Sequence, residues 1–293
     1  MHLPKSNYQL LDFGLGRKLE RIGNFIVERP CPGAVFPNQG SVYWLQTHLS
    51  YDANGPGRWN YHSSWKHSQA DASKDWECNV DGLRLHLKPT LAGQIGIFPE
   101  HWAHWPWLME RIHSNTFSCF ERTRVLSLFA YTGATTMALA RAGCEVTHVD
   151  ASKPTVAWAK ENCNLSVLNA MPIRWIVDDA NAFVKRELRR EKRYDLIILD
   201  PPTYGHGVQG ARWEIRRDLP QLLQDCWQLL SEERLGVLLC GHSSHIRIRD
   251  LNNQLIQSYG RSNVGECEVT QAFLTDAVGR KLDCGFAARY SMR

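Results

Sequence analysis

Residues 199–207 read LDPPTYGHG and follow the apolar run YDLII at 194–198. A carboxylate, two prolines and an aromatic ring closing a buried strand suit chemistry better than packing. Proline lacks an N–H and fixes φ, so Pro201 and Pro202 make a stiff exit that cannot extend a strand ladder. Their carbonyls, released from sheet pairing, can accept hydrogen bonds in a cleft. Asp200 adds a carboxylate, and Tyr204 adds a face on which a planar molecule can stack. The plain alternative is an Asp-Pro-Pro turn with a surface tyrosine. Three other strand ends weigh against it.

The first is FAYTGATT at 129–136, where Gly133 opens a helix. Turn geometry alone often demands such a glycine, but it also lets a ligand approach the N–H groups of a helix N-terminus. The second is Asp150, which closes EVTHVD and can accept from both hydroxyls of a ribose. Ser152 is available to cap the following helix, leaving Asp150 for a ligand. At the third, IRWIVDDA (173–180), one of Asp178 and Asp179 can accept from an adenine amino group while the other caps a helix. Together these ends suit a nucleoside with a polar tail lying across one end of a sheet.

Setting the ends side by side requires a particular scaffold. The apolar runs 124–130, 145–152, 173–180, 194–200 and 235–241 alternate with helical patterns over 132–143, 153–168, 181–192, about 212–230 and about 249–260. Such alternation predicts parallel βαβ units with helices on both sheet faces, and ligands beyond the carboxyl ends of the strands. ECEVTQAFL (266–274) and FAARYSM (286–292) add two closing strands. The expected fold class is α/β, a doubly wound, seven-stranded, mostly parallel sheet over residues 121–293.

Residues 1–120 read differently. They hold seven of the eleven tryptophans among turn-forming stretches, with short β-like pieces at 24–30 and 82–89. A smaller β-rich N-terminal domain, with a part in substrate recognition, is expected. Trp102, Trp105 and Trp107 in HWAHWPW offer either a stacking surface or, by preference, an interface core. The basic run KRELRREKR (185–193) is read as the solvated face of a helix.

Hydrophobic content of 43% and charged content of 22% are those of an ordinary folded chain of 293 residues. No window approaches eighteen uninterrupted apolar residues, and MHLPKSNYQL has neither the apolar nor the Arg-rich pattern of a targeting peptide. The nine cysteines are scattered and never spaced C-x-x-C, which argues against a disulfide framework or a zinc site. A cytoplasmic location and no metal are expected. The net charge of +4 permits contact with nucleic acid without requiring it.

On these motifs, residues 124–293 resemble the class I S-adenosylmethionine-dependent methyltransferases. More narrowly, LFAYTGATT, THVDAS, DDA and LDPPTYG are similar to motifs of large-subunit ribosomal-RNA methyltransferases that modify cytosine C5 or guanine N7. GQIGIFPEHWAHW (93–105) is similar to the segment preceding their catalytic domain. The resemblance implies S-adenosylmethionine as cofactor. It implies Phe129, Tyr131, Thr132 and Gly133 along the methionine end, Asp150 on the ribose with Ala151 and Ser152 beside it, and Asp179 and Ala180 at the adenine. It puts Asp200, Pro201, Pro202 and Tyr204 at the methyl acceptor, and Phe98, Glu100 and His101 over the cofactor. RNA, ribosomal RNA first, is the implied substrate.

Two departures narrow this picture. Cytosine C5 chemistry needs a cysteine that adds to the base. Here the family position after the fifth strand falls near Ser243 in GHSSH (241–245), while Cys240 sits inside the strand. A ring or exocyclic nitrogen is therefore favoured over C5. The family arginine after the acid of the preceding segment is Trp102. His242 and His245 are candidate bases, although transfer to a lone pair needs none. Three alternatives stand beside this reading. A methyltransferase of small molecules or proteins would share every cofactor residue. A nicotinamide-dependent dehydrogenase would use Asp150 but lacks G-x-G-x-x-G. A non-catalytic RNA-binding module would turn nothing over.

Overall fold

The computed structural model describes residues 4–62, 76–114, 122–206, 212–232, 235–241 and 265–292. The chain opens with five strands, β1 (Tyr8–Gly14), β2 (Arg17–Ile22), β3 (Phe25–Pro30), β4 (Leu49–Asp52) and β5 (Arg58–Tyr61), paired in chain order in one sheet. Leu15 and Gly16, both at positive φ, make the two-residue turn between β1 and β2. A separate hairpin, β6 (Glu77–Val80) and β7 (Leu83–His86), follows. A 3-10 turn at Pro99–His104 then runs into α1 (Trp105–Ser114).

From there strands and helices alternate: β8 (Arg124–Leu128), α2 (Ala134–Arg141), β9 (Glu145–Asp150), α3 (Lys153–Leu165), β10 (Ile173–Val177), α4 (Ala180–Arg189) and β11 (Leu196–Leu199). A short pair, β12 (Tyr204–His206) and β13 (Arg212–Glu214), precedes α5 (Ile215–Leu229), β14 (Gly236–Gly241), β15 (Gly265–Thr275) and β16 (Lys281–Met292). The large sheet has the order β10-β9-β8-β11-β14-β16-β15. Its first five strands are parallel, and β16 runs antiparallel to both β14 and β15. This is the α/β architecture read from the sequence. The chain builds outward from β8 through β9 and β10 on one side and through β11 and β14 on the other. The tips of β8 and β11 therefore border the switch point at which such sheets bind ligands. The expected helix at 249–260, with His242, Ser243 and His245, lies outside the described residues.

The pattern of burial follows from the sequence. All four residues of β11 are buried, as a central parallel strand requires. In α4, Ala180, Phe183, Val184 and Glu187 are buried at helical spacing. The basic run around α4 is solvated, with Arg186 paired to Asp178 and Arg190 to Glu187.

The amino-terminal strands do not stand apart from this sheet. Cys78, Val80, Leu83 and Leu85 of the β6–β7 hairpin share one continuous core with Met137, Ala138, Val146 and Cys163. Polar ties fix the same contact: His86 N–H donates to Asn162 Oδ1 at 2.8 Å, and Trp158 Nε1 donates to the His86 carbonyl at 2.9 Å. Trp102 and Trp105 are buried in that core, with Trp105 Nε1 donating to Thr135 Oγ1 at 3.1 Å. Trp107 packs half-buried against it, so this cluster is interior packing. At the far side, the buried Asp12 carboxylate of β1 accepts from Trp44 Nε1 at 2.8 Å and pairs with Arg280, whose Nε also reaches Asp276 Oδ2 at 2.8 Å. No helix among the described residues is long and apolar enough to cross a membrane.

Candidate active site

A cavity of about 1090 Å³ opens over the carboxyl ends of the central strands. Phe129, Tyr131, Asp150, Ala151, Ser152, Asp179, Ala180, Asp200, Pro201, Pro202, Phe98 and Glu100 all line it, so twelve of the sixteen site residues read from the sequence meet there.

The exit from β8 is strained. Phe129 and Tyr131 both hold positive φ, 55° and 51°, which side chains with a Cβ rarely adopt. Such conformations persist only where their surroundings enforce them, and they concentrate at functional sites. Here the Ala130 N–H donates to the Val149 carbonyl at 3.1 Å, and the Tyr131 N–H donates to Asp150 Oδ2 at 3.0 Å. The other Asp150 oxygen accepts from the Ser152 N–H at 2.9 Å. Ser152 caps α3 through Thr155, which frees Asp150 from that duty. Burial outweighs these two hydrogen bonds and raises the Asp150 carboxyl above its usual range.

Thr132 and Gly133 lie deeper than expected. They line a second, small cavity of about 60 Å³ behind the strained turn. Thr132 Oγ1 donates to the Gly96 carbonyl at 2.6 Å, and Gly133 sits at φ 84°, where an added Cβ would stand 3.2 Å from the Ala159 Cβ. Both shape the turn from beneath and do not touch the large cavity. Gly96 is equally constrained: a Cβ there would meet the Trp158 ring at 2.3 Å.

Asp179 caps α4, its Oδ1 accepting from the Ala182 N–H at 3.0 Å. Asp178 is held by Arg186. Both still border the cavity. Asp200 stands with its Oδ2 3.5 Å from His101 Nε2, and His101 stacks on Phe98 with ring centroids 5.7 Å apart.

Tyr204 is where the structure corrects the sequence. β12 and β13 pair so that Tyr204 opposes Glu214 and Gly205 opposes Trp213. Alternation along a strand then sends Gly205 and Trp213 to the cavity and Tyr204 away from it, 64% exposed. The aromatic face at this rim belongs to Trp213, which lies 5.0 Å from the Phe129 ring and donates from Nε1 to the Pro202 carbonyl at 2.6 Å. Sequence reasoning passed over Trp213 as the start of a helix; a tryptophan just ahead of that helix was the available signal.

The wall facing the strand tips comes from the amino-terminal sheet and the 92–100 segment, with Lys18, Arg29, Tyr51, Gln94 and Glu100 among its residues. No metal-binding cluster of three His, Cys, Asp or Glu occurs among the described residues.

Comparison with known proteins bears on this geometry. The family model described as conserved hypothetical protein 95 matches residues 106–258. A SAM-dependent methyltransferase from Agrobacterium tumefaciens superposes with a TM-score of 0.89 at 32% identity, covering 98% of this chain and 91% of that one. A Streptococcus mutans chain described as a SAM-dependent methyltransferase has a TM-score of 0.73 at 16% identity, covering 98% and 75%, and shares the fold. The ribosomal RNA large subunit methyltransferase K/L of Hahella chejuensis is 32% identical over 180 residues, 60% of this chain and 23% of that protein. That of Marinobacter nauticus is 31% identical over 157 residues, 52% and 20%. The chain thus spans under a quarter of the length of these two relatives.

Proposed function

The chain belongs to the S-adenosylmethionine-dependent methyltransferases, within the family described as conserved hypothetical protein 95, and from that premise we propose that it methylates a nucleobase in RNA, with ribosomal RNA the favoured substrate. The observation carrying this reading is that the tips of β8, β9 and β10 and the Asp200-Pro201-Pro202 rim after β11 line one cavity. The ribosomal-RNA name of the relatives matching this domain supports the substrate. Residues 1–120 form the substrate-recognition part in this reading, and residues 121–293 the transfer unit.

The residues fit the cofactor. Asp150 is a half-buried carboxylate pinned by two backbone amides, with lone pairs left for ribose hydroxyls. Asp179 and Ala180 would border the adenine, and Phe129 and Tyr131 would line the way from the sulfonium to the methionine end. When bound, the cofactor supplies an electrophilic methyl carbon on a sulfonium. The chain's own work is to hold a nucleophile in line and exclude water. Asp200 and the Pro201 carbonyl orient the acceptor's N–H groups, and the Trp213 ring covers its face. A base in paired RNA must first leave its stack.

Nitrogen is favoured over carbon as acceptor. Cys31 and Cys284 line the cavity, but burial pushes both thiols up, which keeps them protonated and poorly nucleophilic. The test is labelled methyl transfer from S-adenosylmethionine to ribosomal RNA from cells lacking the protein, run beside transfer RNA and a metabolite extract, with mass spectrometry of the nucleosides. Label in a single ribosomal nucleoside is expected; label confined to the metabolites would replace RNA with a small-molecule substrate.

A further inference from the structure

The β2–β3 hairpin places two cations directly opposite one another, Lys18 beside Arg29. Like charges facing across a sheet are destabilising, and buried charges are costlier still unless paired. Yet both residues line the cavity, with side chains only 13% and 5% exposed. A single carboxylate serves both. Glu20 Oε1 accepts from Arg29 Nη2 at 2.9 Å, from Lys18 Nζ at 2.9 Å and from Tyr8 Oη at 3.0 Å, while Oε2 accepts from Arg29 Nε at 2.7 Å. Arg29 Nη1 reaches the Gly93 carbonyl at 3.5 Å and Gln94 Oε1 at 3.3 Å, which fixes the guanidinium plane.

Two cations on one fully buried carboxylate leave a positive charge on the cavity wall. Gln94, which accepts from Arg29, belongs to the segment whose Gly96 carbonyl accepts from Thr132 Oγ1 and whose Phe98 ring lies 5.1 Å from that of Tyr131. The cluster is therefore beside the strained exit of β8, two strands away from Asp179 and Ala180 beyond β10. Glu100, buried in the same lining, brings a carboxylate to that end. A wall with a cationic and an anionic part suits a zwitterion.

We propose that Lys18 and Arg29, held by Glu20, receive the carboxylate of the cofactor's amino-acid tail, and that Glu100 receives its ammonium group. This assignment rests on the placement of the nucleoside proposed above. The depth of Arg29 favours a small ligand's anion over an RNA phosphate, since a polymer backbone stays near the cavity mouth.

The test compares S-adenosylhomocysteine with 5′-methylthioadenosine, the same nucleoside thioether without the tail, by titration calorimetry. Wild-type protein is expected to prefer the former. Lys18→Gln and Arg29→Gln should each cut that preference by about tenfold, as for loss of a hydrogen bond to a charged group, with methylthioadenosine affinity unchanged. Lys18→Gln retains the Glu20–Arg29 pair, so it reads out even if Arg29→Gln does not fold. Binding of both compounds with an unchanged preference in the variants overturns this inference alone. Failure of wild-type protein to bind either compound removes the nucleoside placement and this inference with it.

Discussion

The Trp213 indole N–H donates to the Pro202 carbonyl at 2.6 Å, which takes one of the two proline carbonyls out of service and fastens an aromatic ring over the rim. In the proposed reading, Asp200 and the Pro201 carbonyl are then left to meet the acceptor. Trp213→Phe keeps a ring but loses this tie. Turnover should fall by about tenfold, the upper range for one hydrogen bond, with S-adenosylhomocysteine affinity little changed. Tyr204→Ala should leave turnover within about twofold, because that side chain faces away from the cavity. Steady-state kinetics on both variants decide it; the reverse order would return the stacking role to Tyr204.

Asp150 sets a pH dependence. Burial raises its carboxyl, so in the absence of ligand the folded state holds this proton more tightly than the unfolded state. Stability of the empty protein should fall as pH rises from 3.8 through the raised native value. Cofactor affinity should move the other way, since the ionised form accepts the ribose hydroxyls, and should weaken as pH falls through the same value. Asp150→Asn should remove both slopes. Calorimetric affinity and melting temperature between pH 4 and 7 (roughly the carboxyl range) report them separately.

Glu20 is the opposite case. Arg29 and Lys18 overcome its burial and hold its carboxyl down, to about 2. Its contribution is fully present above its ordinary value of 4.5 and is lost as pH falls toward about 2. Glu20→Gln should therefore cost roughly 3–5 kcal/mol near neutrality, the range for breaking a buried pair. The gap from wild type should close progressively in acid. Denaturant unfolding at several pH values measures it; a constant gap would contradict the pairing.

The observed cap at Asp179 and the cofactor contact proposed for it separate chemically. Asparagine caps a helix about as well as aspartate, whereas alanine costs about 1 kcal/mol. Asp179→Asn should keep the melting temperature but weaken S-adenosylhomocysteine binding, while Asp179→Ala should lower both. If Asp179→Asn binds normally, the residue is a cap and nothing more.

The transfer unit was legible because its information is local. The strand tips at Asp150, Asp179 and Asp200 follow from apolar runs that end in acids, and a parallel sheet aligns such ends without further instruction. Of the opposite wall only Phe98 and Glu100 were legible, through the resemblance carried by GQIGIFPEHWAHW. Arg29 acquires meaning only through the β2–β3 register that sets it beside Lys18, and through packing that brings Gly93 and Gln94 to it. Nothing in NFIVERP singles out its arginine. Tyr204 failed for a subtler reason: one residue of strand phase decides which side of β12 meets the ligand.

The pair joining Asp12 to Arg280 spans 268 positions of sequence. Asp12 therefore leaves the ribosome 268 residues ahead of the cation that neutralises it. The amino-terminal sheet gains the partner of its buried carboxylate only after the strands and helices between the two residues have been made, so completing that contact is a late, long-range step of folding.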